Sequence, residues 1–205
     1  WKWQHGSVRV FLLDTDTLEN DTSDRKITHR LYDVDKETRL RQEMILGIGG
    51  VRLLEALNIH PSIYHMNEGH SAMLVLDLIR HEMIERKISF VDAKRLMSRH
   101  VIFTNHTLVP AGEELYSNDL ASALLSTYAE ELAVPNTDIV ALGLVQESSI
   151  FSMTMLSLRL AERINAVSKL HQIKAKEMWT DHPMEVVTNG IHIPTWDRIG
   201  STNLV

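Results

Sequence analysis

Four short runs of apolar, largely β-branched residues punctuate the chain: Val8 to Leu13, Ile63 to Met66, Val101 to Thr104 and Val186 to Thr188. Each reads as a buried strand. Between them the apolar positions fall at helical spacing. Leu40, Met44, Ile48, Val51, Leu54 and Leu57 recur at steps of 4, 4, 3, 3 and 3, which predicts one face of a long helix over Glu37–Leu57 despite three glycines. Further helices are predicted over Ala72–Lys87, over Phe90–Ser98 with Asp92 near its first turn, and over Met153–His171, where Leu156, Leu160, Ile164, Val167 and Leu170 form the stripe. Strands alternating with helices indicate an α/β fold, a parallel sheet with helices on both faces. All four runs are expected in one sheet. The segment Asp14–Asp35 is rich in Asp, Thr and Asn and reads as a long polar loop. No repeat, low-complexity tract or linker interrupts the pattern, so residues 1–205 are read without an internal boundary.

Composition narrows the function. With 205 residues, 44% of them hydrophobic, the chain is globular and long enough to bury a substantial core. Lys and Arg number 21 against 27 Asp and Glu, a formal charge of −6 with no long basic run, which argues against nucleic acid as a partner. The absence of cysteine excludes disulfides, thiolate metal sites and Cys nucleophiles, and makes the cytoplasm the default compartment. No apolar stretch reaches the ~18 to 20 residues of a membrane span, and no signal-peptide pattern opens the chain. Because it starts Trp1-Lys2-Trp3 without Met, the chain is expected to be a fragment of a longer one.

In open α/β sheets, ligands bind beyond the carboxyl ends of the strands. Three runs end in polar clusters: His65-Met66-Asn67-Glu68-Gly69-His70-Ser71, Thr104-Asn105-His106-Thr107 and Thr188-Asn189-Gly190-Ile191-His192. Amides, hydroxyls and imidazoles suit a polyhydroxylated ligand, since each sugar hydroxyl both donates and accepts; one cluster alone could equally cap helices and strand ends. His65, Glu68 and His70 match no zinc spacing, and His81-Glu82-Met83-Ile84-Glu85 lacks the second His of the zinc-protease motif, so no metal is expected. Gly47-Ile48-Gly49-Gly50 lies inside a helical stripe and reads as close helix packing rather than a phosphate loop. His100, His171 and His182 read as surface or cap residues, and Trp179 and Trp196 as core.

The ordered set Arg39-Leu40-Arg41-Gln42-Glu43, Asn67-Glu68-Gly69-His70-Ser71-Ala72, Thr104-Asn105-His106-Thr107 with Pro110, Asn165-Ala166-Val167-Ser168-Lys169-Leu170-His171, and Thr188-Asn189-Gly190 with Trp196 resembles the α-glucan phosphorylases, over nearly the whole chain. The resemblance implies a GT-B glycosyltransferase with paired Rossmann-like domains, this chain being the later part of the first. It also implies reversible phosphorolysis of terminal α-1,4-linked glucose to glucose 1-phosphate with retention, with pyridoxal phosphate held by a lysine of the second domain and therefore not by this chain. The isolated chain is then expected to be inactive. By matching motifs, His106 and Asn189 would grip the donor glucose, with the His106 carbonyl near the reacting carbon. Glu68 and His70 would line the acceptor-side subsite. Two departures stand out: Glu68-Gly69-His70-Ser71 replaces the muscle-type Asp-Thr-His-Pro, and Ala111 follows Pro110 where those enzymes have Glu, as in the shorter bacterial and archaeal phosphorylases. The gate loop is short, and either Asp33 or Asp35 would be its acid. The implied partners are α-1,4-glucan, inorganic phosphate and glucose 1-phosphate, with a possible homo-oligomer and self-association through exposed sheet edges. The alternatives are a nucleotide-sugar-dependent glucan synthase, which would share Asn189-Gly190 but not Asn67–His70, and a non-catalytic carbohydrate-binding module.

Overall fold

The computed structural model describes residues 1–109, 113–145 and 148–193. Its centre is a four-stranded parallel sheet of β3 (Tyr64–Asn67), β4 (Val101–Asn105), β7 (Arg163–Ala166) and β8 (Glu185–Val186), in that spatial order. Parallel neighbours require long crossovers. The first contains α3 (Leu74–Arg86) and α4 (Phe90–Ser98); the second contains α5 (Asn118–Glu131), α6 (Asn136–Ala141) and α7 (Met153–Leu160); the third is α8 (Lys169–Met178). The second also contains a small antiparallel pair, β5 (Leu115–Ser117) with β6 (Ile150–Ser152). One hydrophobic core joins Met66 and Phe103 of the sheet to Leu76 and Ile79 of α3 and Leu156 and Leu160 of α7, all buried.

The expected common sheet holds for three of the four runs, although of Val186–Thr188 only Val186 lies in the strand, and Val187 and Thr188 are exposed beyond it. Val8–Leu13 is the exception: β2 (Val8–Phe11) pairs antiparallel with β1 (Lys2–His5), in a hairpin whose Gly6 takes φ +58°. A two-residue hairpin turn requires such a positive angle, which glycine adopts without strain. The helix predicted over Met153–His171 is likewise corrected. It ends at Leu160, Arg163–Ala166 forms an interior strand of the sheet, and α8 begins a new helix. The stripe from Leu156 to Leu170 keeps helical spacing by coincidence across a strand that contributes only Ile164 and Ala166 to the buried side. The loop Asp14–Asp35 contains only a short 3-10 turn, Asp24–Lys26.

The long helix is present with a defect. It runs as α1 (Lys36–Met44), a π-helical stretch over Ile45–Gly49, and α2 (Gly50–Ala56). Gly47 is the close-packing residue: a Cβ there would lie 2.7 Å from the Leu74 backbone nitrogen and 3.1 Å from the Ser71 carbonyl oxygen. Helix starts are fixed by side-chain caps, which satisfy otherwise orphaned N–H groups. Asp35, Ser89, Ser117, Ser152 and Ser168 accept from the backbones of Thr38, Asp92, Leu120, Met155 and His171. Among the described residues, no helix is long and apolar enough to cross a membrane.

Candidate functional site

The strands are parallel and in register, with Asn67 beside Thr104, Asn105 beside Ala166 and Ala166 beside Val186, so their carboxyl ends share one edge. Residues distant in sequence meet there. The His106 backbone N–H donates to the Glu68 carboxylate at 2.6 Å, and His106 Nδ1 lies 3.5 Å from the same oxygen. Glu68 itself has φ +66° and ψ 179°, a region that belongs almost solely to glycine and costs a side-chain-bearing residue about 1–3 kcal/mol. Two bonds impose it: Glu68 N–H to the Thr104 carbonyl at 3.0 Å, and the carboxylate to His106. Strain of this kind collects where geometry is over-determined.

His171 joins this group from the first turn of α8, where Ser168 caps its N–H at 3.1 Å. Its ring lies close to the His106 main chain, both ring nitrogens are buried without an aligned hydrogen-bond partner, and burial pushes its pKa down. The expected surface or cap role is therefore corrected: Ser168 is the cap, and the His171 ring nitrogens are buried. Asn189 is held on the same edge, where its N–H donates to the Val167 carbonyl at 3.1 Å and its side chain is exposed. His65 is engaged elsewhere. Its Nε2 lies 2.6 Å from Thr104 Oγ1, whose single proton goes to Asn165 Oδ1 at 2.7 Å, so His65 Nε2 is the donor.

His70 faces a second cluster. It sits on the 3-10 turn Gly69–Ser71 and meets Arg39 and Glu43 of α1 and Glu114 just before β5, whose Tyr116 in turn bonds Glu43. His70 Nδ1 donates to Glu114 at 2.6 Å, and Arg39 forms an ion pair with the same carboxylate. The Tyr116 hydroxyl donates to Glu43 Oε2 at 2.8 Å, while Glu43 Oε1 is 3.1 Å from Arg39 Nη2 without hydrogen-bond alignment. Burial opposes the charge on Glu114, but hydrogen bonds from His70, Glu43 and Arg39 outweigh it and hold its pKa at about 2. Burial dominates at Glu43 and raises it to about 8. Hydrogen bonds to Glu114 and then Glu43 raise His70 to about 9. The cluster opens on a cavity of about 540 Å³ that Tyr32 and Trp1 also line, a volume typical of small-molecule sites. Glu43, His70 and Glu114 place potential metal-donor atoms within 4.8 Å of one another, but Arg39 already supplies the positive charge that a metal would bring.

No protein-family model matches the chain. Curated relatives do. It is 40% identical to the maltodextrin phosphorylase of Thermococcus litoralis over 93% of its length. It is 35% identical to the glycogen phosphorylase of Mycobacterium tuberculosis, and 33% identical to that of Aquifex aeolicus, each over 96%. The chain belongs to the α-glucan phosphorylase family. It spans 24%, 25% and 29% of these three relatives.

The phosphorylase motifs noted in the sequence thus divide between two clusters. Glu68 and His106 touch, His70 points to the Arg39 side, and Asn189 shares the edge with His106. Pro110, Ala111 and Trp196 lie outside the described residues. Trp179 is buried as expected. Asp35 is engaged as the cap of α1, accepting from Thr38 N–H at 2.9 Å, and Asp33 accepts from Asp35 N–H at 3.0 Å. Sequence reasoning gave no functional role to Glu43, Glu114, Tyr116 or His171. Arg39 and Glu43 did carry a signal, since charged residues at i and i+4 beside Leu40 and Met44 share the helix face that the apolar stripe marks as buried.

Proposed function

We propose that the chain is the later part of the first, glucan-binding domain of a GT-B phosphorylase that cleaves the terminal glucose of an α-1,4-glucan with inorganic phosphate, releasing glucose 1-phosphate with retention. The contact that supports this reading most directly is Glu68 to His106, which ties two family motifs together at the carboxyl edge of a parallel sheet. An oxocarbenium-like sugar is stabilised by oxygen atoms fixed in advance, and the strained Glu68 backbone with its short bond fixes the His106 peptide. In this reading His106 is catalytic through its contact with the donor sugar, Asn189 binds that sugar, and Glu68 and His70 form the wall toward the acceptor. Glu68 also positions His106.

Pyridoxal phosphate in this family supplies a phosphate group that relays a proton. By the family resemblance, the lysine that holds it covalently lies in the second domain and not in this chain. The cofactor belongs to the remainder of the enzyme, in the cytoplasm, and the 205-residue chain alone is inactive. The Asn67–His70 segment favours a phosphorylase over a nucleotide-sugar-dependent synthase. The test is release of glucose 1-phosphate from maltodextrin by the full-length protein. Phosphate-dependent release is expected; activity with a nucleotide sugar and none with phosphate would overturn the reading.

A further inference from the structure

Glu43 is 1% exposed, lies on α1 and belongs to none of the substrate contacts proposed above. Its two oxygens have different surroundings. Oε2 accepts from the Tyr116 hydroxyl at 2.8 Å, whereas Oε1 faces Arg39 Nη2 at 3.1 Å and His70 Nδ1 at 3.9 Å without an aligned partner. Glu114 approaches the same Arg39 nitrogen and the same His70 nitrogen more closely. The two carboxylates compete for one guanidinium and one imidazole, and Glu43, the more deeply buried and the farther from both, is the harder to ionise. The one nearer to both cations keeps the charge, and the other keeps a proton.

We propose that Glu43 is a positioning residue, which, clamped by Tyr116, props the Arg39–Glu114–His70 triad at the wall of the 540 Å³ cavity and so sets the place of His70 in the acceptor-side subsite. The role rests on the phosphorylase reading for its consequence but not for its geometry. Glu43 acts as an uncharged acid, in line with a pKa raised to about 8 chiefly by burial. The other groups facing it are Arg39 on its own helix, His70 on the 3-10 turn, and Glu114 and Tyr116 at β5. Beyond these, Lys36 lies 5.4 Å from the centre of the Tyr116 ring, and Tyr32 stacks 4.8 Å from the Arg39 guanidinium. An amide can replace a protonated acid here, since it still accepts from Tyr116 and still donates toward Glu114. A methyl group cannot.

The experiment compares Glu43→Gln with Glu43→Ala in the full-length protein, using maltodextrin and inorganic phosphate. Glu43→Gln is expected to hold the glucan KM within about two-fold at pH 7, and Glu43→Ala to raise it about ten-fold with kcat within about three-fold. In the 205-residue chain, His70 is followed by NMR titration. It is expected near 9 in the wild type and in Glu43→Gln, and below about 8 in Glu43→Ala. If Glu43→Ala does not fold, Tyr116→Phe provides the same reading, with a smaller rise in KM and a smaller fall of the His70 value. Equal damage from Gln and Ala would overturn the proposal, because charge would then be what matters. An unchanged His70 titration in Glu43→Ala or Tyr116→Phe would overturn it as well. A wild type with no phosphorolysis would remove the phosphorylase reading and leave the His70 titration to decide the positioning role.

Discussion

Gly47 and Gly50 stand three residues apart on one helical path, and the structure assigns opposite signs to the same substitution. Alanine in place of glycine inside a helix gains about 1 kcal/mol of propensity. At Gly50 nothing lies within 4 Å of the new Cβ, so that gain survives. At Gly47 the Cβ would meet three backbone atoms: Leu74 N at 2.7 Å, Met73 C at 3.0 Å and Ser71 O at 3.1 Å. Backbone cannot swing aside as a side chain does, so the overpacking cost belongs in the upper part of the ~1–3 kcal/mol range. Subtracting the propensity gain leaves Gly47→Ala destabilised by about 1–2 kcal/mol, and the two variants separated by about 2–3 kcal/mol. Urea unfolding of the 205-residue chain followed by circular dichroism measures both midpoints. Midpoints that move in the same direction, or a Gly47→Ala midpoint at or above wild type, would refute the close-approach argument.

Asp77 is fully buried on α3 and accepts from Arg80 at 2.8 Å, Tyr128 at 3.0 Å and Arg52 at 3.2 Å, so Asp77→Ala is expected to cost about 3–5 kcal/mol in the same unfolding assay, against about 1 kcal/mol for Tyr128→Phe. Stability should also depend on pH. Glu43, near 8, and His70, near 9, hold protons more tightly folded than unfolded, so their contributions are present at low pH and are lost as pH rises through those values; Glu114, near 2, loses its contribution as pH falls below about 4.5 toward 2. A melting temperature that peaks near pH 4.5, where the losses from Glu114 below and Glu43 above balance, and falls toward pH 9, with a shallower fall in Glu43→Gln, is expected; a rise from pH 7 to 9 would contradict the assignment. His106→Ala in the full-length enzyme should lower kcat about 100-fold with little change in glucan KM, measured as glucose 1-phosphate release at full pyridoxal phosphate content; parental turnover would remove the catalytic role.

How far the sequence led depended on how local each determinant is. The runs ending at Met66 and Thr104, and the start of the run ending at Thr188, were legible as strands of one sheet because each is short, apolar and followed by polar residues; the rule that ligands bind at strand carboxyl ends pointed to the polar clusters, while the roles proposed for His106, Asn189, Glu68 and His70 came from the family resemblance. Val8–Leu13 has the same composition but pairs with Lys2–His5, because nothing within a short apolar run distinguishes a hairpin from a parallel strand. Arg163–Ala166 was hidden by a stripe whose helical period continues through it. The Glu43 cluster was beyond reach for a different reason. It joins residues 39, 43, 70, 114 and 116, and only the packing of α1 against the Gly69–Ser71 turn and β5 brings their charges together. His171 needed the α8 boundary, which the misread helix had erased.

The two clusters are joined by a single residue. Glu68 belongs to the His106 group and His70 to the Arg39 group, so Gly69 between them sets the distance from one to the other. Its surroundings are tight on the α7 side, where a Cβ would lie 3.1 Å from Met153 C and Cβ and 3.3 Å from Thr154 N, while Gly47 presses on the same turn at the Ser71 carbonyl. The turn is thus clamped between the π-helical stretch and α7. Gly69→Ala would require a shift of a few tenths of an ångström, which costs about 1 kcal/mol of stability, at the low end of overpacking. Its functional signature should be broader than that modest cost. A turn displaced from α7 moves Glu68 relative to His106 and His70 relative to Glu114 together, so glucan KM and kcat should both worsen, each by several-fold, in the full-length enzyme. Glu43→Ala is expected to act mainly on KM and His106→Ala mainly on kcat. A Gly69→Ala enzyme that loses only one of the two parameters would show that the clusters work independently, and that the clamp on the turn serves packing alone.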